Sequence, residues 1–243
     1  MKQIDRREFL KRFGAAAAVV GASAALESCT GGAGTKVAAD AVLGSATSGE
    51  KPIGEMTYRL NQKGEKVSLL GYGCMRWPMT RIGPGRSVID QDAVNELVDR
   101  AYKNGINYYD TSPAYLQGQS ERAAGTALSR YPRESYYLAT KLSNFNNASR
   151  EASLKMYYDS FDQLSTDYLD YYLLHSIGSG TFEDFKHRFM DNGMTDFLMQ
   201  EKEAGRVRNI GFSFHGTKEN FDRFMQMHDE GQMHWDFVQI QMN

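Results

Sequence analysis

Over residues 90–103 apolar positions recur every three or four residues, so Ala93, Val94, Leu97, Val98 and Ala101 share one face of an expected helix. Asn104-Gly105 stops that helix, and the apolar run over 106–109 reads as a short strand carrying Asp110 at its C-terminal end. Pro113 then turns the chain into a loop that presents Tyr115, and Ser120 is expected to cap a helix over 120–129. The two periods keep alternating. Strands are predicted over 135–141, 168–175, 207–213 and 237–242. Helices are predicted over 149–164, capped by Ser149, over at least the second half of 182–205, and over 218–229. Upstream, alternating runs over 56–60 and 66–70 flank a turn-rich Asn61-Gln-Lys-Gly-Glu65, which is the pattern of a β-hairpin.

Strict alternation of strand and helix requires parallel strands joined by right-handed crossovers, so the fold class is α/β. Asp110, Lys141 and His175 end successive strands, one βα unit apart. A doubly wound sheet gathers its functional groups at one switch point, whereas a closed barrel turns every strand end towards the same mouth. Functional side chains on consecutive strand ends favour the barrel. Gly71-Tyr-Gly73 lets backbone approach something closely, either a nucleotide phosphate or a neighbouring strand end.

Composition is most informative at the N-terminus. A formal net charge of -2 and the absence of a basic run interleaved with aromatics argue against a nucleic-acid partner. Arg6-Arg7 followed by an Ala/Gly/Val-rich run over 13–26 has the form of a twin-arginine export signal, taken as residues 1–28. The apolar run is shorter than the roughly 20 residues a membrane-spanning helix needs. An amphipathic basic helix on a cytosolic protein is the competing reading. Cys29 stands where such a signal is cut and resembles a lipoprotein site, which would anchor the protein to a membrane. Glu27 is unusual inside that box, so simple cleavage nearby or an incidental linker cysteine are the other readings. Residues 29–55 read as a flexible tether, and residues 56–243 as the folded domain. The expected location is the periplasm, free or membrane-attached. With only Cys29 and Cys74 in the chain, at most one disulfide is available.

Asp110, Tyr115, Lys141 and His175 form a set with a definite chemical use. A carbonyl that accepts a hydride at carbon develops negative charge on oxygen and needs a proton donor there. Tyr115 can be that donor if an ammonium beside it favours the phenolate; Lys141 is the ammonium and Asp110 its counter-charge. His175 would donate a further hydrogen bond and orient the carbonyl. Each residue alone also has a plain structural reading: a turn cap, a rim aromatic, a strand-end lysine and a half-buried imidazole.

Several stretches carry a resemblance. They are Gly71-Tyr-Gly-Cys-Met75, Tyr109-Asp-Thr-Ser-Pro-Ala-Tyr115 with Gln119-Ser-Glu121, Ala139-Thr-Lys141, Asp170-Tyr-Tyr-Leu-Leu-His175, Gly205-Arg-Val-Arg-Asn-Ile-Gly-Phe-Ser213 and Val238-Gln-Ile-Gln-Met-Asn243. Together they resemble the aldo-keto reductases. The resemblance implies a parallel (β/α)8 barrel with an N-terminal hairpin across its floor, NADP(H) or NAD(H) as cofactor, and a small carbonyl substrate. It implies Tyr115 as general acid tuned by Lys141 and Asp110, with His175 orienting the substrate. It further implies cofactor contacts at Gly73 and Met75, and at Ser213 and Gln239 for the nicotinamide carboxamide. Phe214 departs from the pattern, since many members have Asn there. The stretch Phe212-Ser-Phe-His215 is similar to a subgroup whose longer members carry a ferredoxin-like iron–sulfur segment. This chain has no such cysteine cluster, so neither an iron–sulfur centre nor another metal is assigned to it.

Counting from the strand before Gly73, the last strand is the sixth, so about six βα units of an incomplete barrel are expected; a complete one takes about 250 residues. Three functions follow: an exported NAD(P)H-dependent carbonyl reductase, a cofactor-binding redox sensor or accessory subunit that turns over little, and a non-functional truncated barrel.

Overall fold

A computed structural model describes residues 54–241. The export signal, Cys29 and all but the last residues of the tether lie outside the described residues. Among the described residues no helix is long and apolar enough to cross a membrane.

Six parallel strands form one sheet: β3 (Tyr72–Gly73), β6 (Tyr108–Asp110), β7 (Tyr137–Leu142), β8 (Leu169–Ile177), β9 (Val207–Phe214) and β10 (Phe237–Ile240). Each strand neighbours the next in the chain, with no reversal of order. Such an order winds in one direction, which is barrel topology and excludes a doubly wound sheet. Helices make the crossovers: α1 (Gln91–Lys103), α2 (Ser120–Leu128), α3 (Arg150–Leu164), α4 (Phe182–Phe185) with α5 (Met194–Glu203), and α6 (Lys218–Asp229). The sheet is curled. Tyr108 and Tyr171, two strands apart, bring their rings to 5.1 Å, and Tyr171 and Phe237, again two strands apart, to 5.0 Å. Layers built from alternate strands are how a barrel interior fills. Gly211 leaves room for this layer, because a Cβ there would stand 2.3 Å from the Phe237 carbonyl oxygen. The result is six strands of an incomplete (β/α)8 barrel.

Two-residue periodicity decides what faces where. Leu138, Leu142, Tyr172, Leu174, Ile210 and Phe212 pack outward against the helices. The intervening residues face the barrel interior, and these include Asp110, Lys141, His175, Ser213 and Gln239.

Two further small sheets precede the first helix. The pair β1 (Tyr58–Leu60) and β2 (Lys66–Ser68) is the expected hairpin. In its turn, Asn61 Oδ1 accepts from the backbone N–H of Lys63 and of Glu65, each at 2.9 Å. Tyr58 donates to the Gly105 carbonyl, and Asn107 accepts from Ser68 N and donates to the Lys66 carbonyl. These bonds hold β2 at the N-terminal entry of β6, the end away from Asp110. The Asn107 N–H donates to Ser68 Oγ while its carbonyl accepts from Tyr137 N, so the strand proper starts at Tyr108 instead of Ile106. The antiparallel pair β4 (Met79–Gly83) and β5 (Arg86–Ile89) answers to no feature of the hydrophobic pattern.

Several other expectations shift. Ser120 does not cap α2: Gln119 precedes the helix without a side-chain cap bond. The Ser120 hydroxyl instead turns inward, 2.8 Å from the Cys74 carbonyl and 2.9 Å from Thr111 Oγ1. Leu116 and Gln117 at φ 49° and 58° already coil the chain before the helix starts, which leaves Ser120 inside it. Ser149 does cap α3, accepting from Ala152 N. Leu97 is 37% exposed, so α1 buries the narrower stripe of Val94, Val98 and Ala101. The segment after α4 runs as a π-turn (Lys186–Met190) before α5 begins.

On the outer side of β7, Glu121 is 2% exposed and accepts from the Thr140 hydroxyl at 2.5 Å. Burial pushes its carboxyl up to about 7, with Thr140 and Ser160 offsetting part of that. Because the folded-state value lies above the ordinary one, the unfolded chain releases this proton first as pH rises. Stability from this site is greatest below the ordinary carboxyl range, declines as pH climbs towards 7, and stays reduced above it. Glu121→Gln keeps the acceptor for Thr140 and removes the penalty. It is expected to raise stability near pH 8 by on the order of 2 kcal/mol and to change little near pH 4, read from urea unfolding at the two pH values. Close by, a Cβ on Gly125 would stand 2.5 Å from the Gln163 carbonyl oxygen and 2.7 Å from Leu164 Cα. Backbone cannot swing aside, so Gly125→Ala should lower the urea midpoint by an amount equivalent to about 1–3 kcal/mol despite its better helix propensity.

Candidate active site

The site stands at the C-terminal ends of β6, β7 and β8. Lys141 is 1% exposed, and its ammonium donates to Asp110 Oδ1 at 2.6 Å and to the Thr111 carbonyl at 2.8 Å. A charge this deep needs such partners. Burial pushes the Asp110 carboxyl above its ordinary range, while Lys141 and Gln239 pull it back down. Asp110 Oδ2 is buried without a hydrogen bond of ordinary geometry. Asp110 lines a cavity of about 430 Å³ together with Tyr72, Gly73, Tyr108 and Gln239.

Tyr115 begins a 3-10 turn, Tyr115–Gly118, placed over the ion pair by the loop that Pro113 starts. The Lys141 ammonium lies 4.8 Å from the centre of the Tyr115 ring. It meets the ring face, and the Tyr115 hydroxyl has no hydrogen bond from Lys141. His175 meets the same ring edge-on, with centroids 5.7 Å apart. The four residues singled out in the sequence are thus brought together, three on adjacent strands and one on the loop above them.

His175 sits just before a bulge. Ser176 has φ 52°, and the β8–β9 register shifts between Leu174 and Ile177. The bulge frees the Ser176 N–H, which donates to Ser213 Oγ at 2.7 Å. Bulges beside sites re-aim a side chain in this way. His175 Nδ1 lies 2.5 Å from Ser143 Oγ and 3.3 Å from Ser112 Oγ. Burial, together with Lys141, Arg188 and His215, lowers its pKa to about 3, so the imidazole is neutral. Arg188 donates to the His175 carbonyl at 2.8 Å and lies over the Phe145 ring, which in turn stands 5.1 Å from His175.

Of the four positions expected to meet a cofactor, Ser213 and Gln239 stand opposite one another on neighbouring strands. Gly73 pairs with Asp110 and presents open space where a side chain would be. Met75 is 53% exposed on the turn after β3. Phe214, which departs from the expected pattern, faces the other way from Ser213 and packs against Phe221 and Phe224. Its ring fills the space beside Gly178, so it is a core residue there.

Ser112, Ser143, Phe145 and Arg188 were not legible as site residues. The serines had a usable signal: each lies two positions beyond a site residue, Asp110 or Lys141, where continued strand alternation would return a side chain to the same side. Arg188 had none, because only the path of the β8–α4 connection brings it back. Among the described residues no group of three or more His, Cys, Asp or Glu could hold a metal ion.

Residues 69–243 match the Aldo/keto reductase family. The chain is 32% identical over 160 residues to an L-galactose dehydrogenase from Arabidopsis thaliana, covering 63% of this chain and 47% of that protein. It is 31% identical over 128 residues to a D-arabinose 1-dehydrogenase from Saccharomyces cerevisiae, covering 49% and 36%. Among solved structures, an aldo-keto reductase from Bacillus halodurans superposes with a TM-score of 0.60 at 25% identity, over 77% of this chain and 58% of that one. The chain spans about half the length, or less, of these curated relatives. A match that runs from the first barrel strand to the last residue, over the same strand ends that carry the buried ion pair, makes this chain a member of the aldo/keto reductase family.

Proposed function

We propose that this protein is an NAD(P)H-dependent oxidoreductase that reduces an aldehyde or ketone to the alcohol. The observation that carries the reading is the buried Lys141–Asp110 pair beneath Tyr115, with neutral His175 against the same ring. A buried ammonium beside a phenol lowers the cost of phenolate, and its fixed counter-charge keeps it in position. Tyr115 gives its hydroxyl proton to the carbonyl oxygen as negative charge develops there. Lys141 stabilises the phenolate left behind. His175 donates a hydrogen bond to the same oxygen and turns the carbonyl face.

The residues present fit the nicotinamide end of the cofactor. Ser213 uses its oxygen to accept from Ser176 N and keeps its O–H for a carboxamide oxygen, while Gln239 opposite offers both an amide donor and an acceptor. Gly73, with open space at its Cβ position, lines the cavity that Asp110 and Gln239 also line. When bound, the nicotinamide would supply the hydride. The names of the relatives, an L-galactose dehydrogenase and a D-arabinose 1-dehydrogenase, support sugars and their carbonyl forms as the substrate class, with the same transfer run in either direction. The Arg6-Arg7 segment and the apolar run after it support export by the twin-arginine route, with Cys29 as an anchor point.

Tyr115→Phe removes one oxygen and leaves the ring against Lys141 and His175. NADPH- or NADH-dependent reduction of a small aldehyde should fall by a factor of about 10² to 10⁴ while the thermal midpoint stays within a few degrees. Wild-type rates in that variant would overturn the assignment.

A further inference from the structure

The hydroxyls behind His175 form a chain whose direction is set by the count of donors and acceptors. Ala114 N–H donates to Ser112 Oγ at 3.1 Å, Ser112 Oγ lies 2.8 Å from Ser143 Oγ, and Ser143 Oγ lies 2.5 Å from His175 Nδ1. Ser112 is 0% exposed and Ser143 6%, so both hydroxyls are shielded from bulk solvent. Two directions are conceivable. If Nδ1 carries the proton, it donates to Ser143, Ser143 donates to Ser112, and the Ser112 hydroxyl proton has no acceptor left among the described residues. If Nδ1 is bare, Ser112 donates to Ser143, Ser143 donates to Nδ1, and every hydroxyl proton has a place. A buried hydroxyl without an acceptor costs free energy, so the second direction wins. The backbone N–H of Ala114 is the fixed end of the chain, because an amide can only donate.

We propose that Ser112 and Ser143 are positioning residues that hold His175 as the Nε2–H tautomer, so that its ring presents a donor to the substrate carbonyl oxygen. Nε2 has no partner among the described residues, and the Tyr115 ring meets the imidazole edge-on at 5.7 Å. Lys141, Arg188 and His215 around the ring all disfavour a second proton, which keeps the tautomer the only variable. The pair also links the two strand-end loops: Ser112 follows β6, Ser143 follows β7, and the histidine that both serve ends β8. A donor at Nε2 is of use only if a carbonyl is reduced here, so the functional consequence rests on the reading above, while the tautomer itself does not.

Ring-nitrogen shifts of ¹⁵N-histidine-labelled protein, with the His175 signals assigned by their loss in His175→Asn, decide the matter without turnover. Wild type should show Nδ1 bare and Nε2 protonated. Ser112→Ala and Ser143→Ala should each move the two nitrogen shifts towards one another and lower kcat/KM for aldehyde reduction by about tenfold, and Ser143→Thr should restore both. A protonated Nδ1 in wild type, or an unchanged nitrogen pattern in both alanine variants, would overturn the proposal. Absence of any carbonyl reduction by wild type would sink the functional reading alone and leave the nitrogen shifts to decide the tautomer.

Discussion

Everything at this site depends on an ammonium held out of water. Lys141 is fully buried on a strand whose other inward residues are uncharged, and leaving such a charge without a partner would cost several kcal/mol. Its partners, the Asp110 carboxylate and the Thr111 carbonyl, both come from the end of β6. The pairing therefore demands one register between β6 and β7, in which Asp110 stands beside Ala139 and Lys141 comes two residues further on. A slip by one residue would turn Lys141 into the helix layer, where the neighbouring position already holds Thr140 against Glu121. Register and ion pair thus enforce one another.

The same strand bonds a second buried carboxyl on its opposite side, that of Glu121 in α2. Thr140 and Lys141 are adjacent in sequence, yet one bonds Glu121 between helix and sheet and the other bonds Asp110 inside the curl. The two carboxyls differ in what surrounds them. Asp110 faces an ammonium, whereas Glu121 is bonded only by hydroxyls, and burial dominates its titration. The outer carboxyl is a local cost that packing tolerates. The inner one is the counter-charge that holds the Lys141 ammonium against the Tyr115 ring.

The mouth is shaped by where the chain departs from regular structure. The loop after β6 lifts Tyr115 over the ion pair, and the bulge after His175 trades a sheet hydrogen bond for one to Ser213. That exchange ties the strand end that carries His175 to Ser213 on the neighbouring strand. Arg188 returns from the following helix to bond the His175 carbonyl, so the strand end is clasped from above as well.

Much of this was legible in the order of residues. Periodicity dictates the alternation of strands and helices, and strand alternation puts Asp110, Lys141 and His175 on one side of three successive strands, because both are local properties of the backbone. The motif around Tyr109-Asp110 and Tyr115 points to the chemistry for the same reason: its residues are neighbours in the chain. What the tertiary structure alone decided lies between residues far apart. Ser112 meets Ser143 across 31 residues, and Ser143 meets His175 across 32. Ser120 turns inward instead of capping its helix because Cys74, 46 residues away, offers it a carbonyl. Phe214 belongs to the aromatic core because α6 packs over that side of β9. Such contacts follow from strand order, curl and register, which no local pattern encodes, and they set the geometry in which the locally legible residues can act.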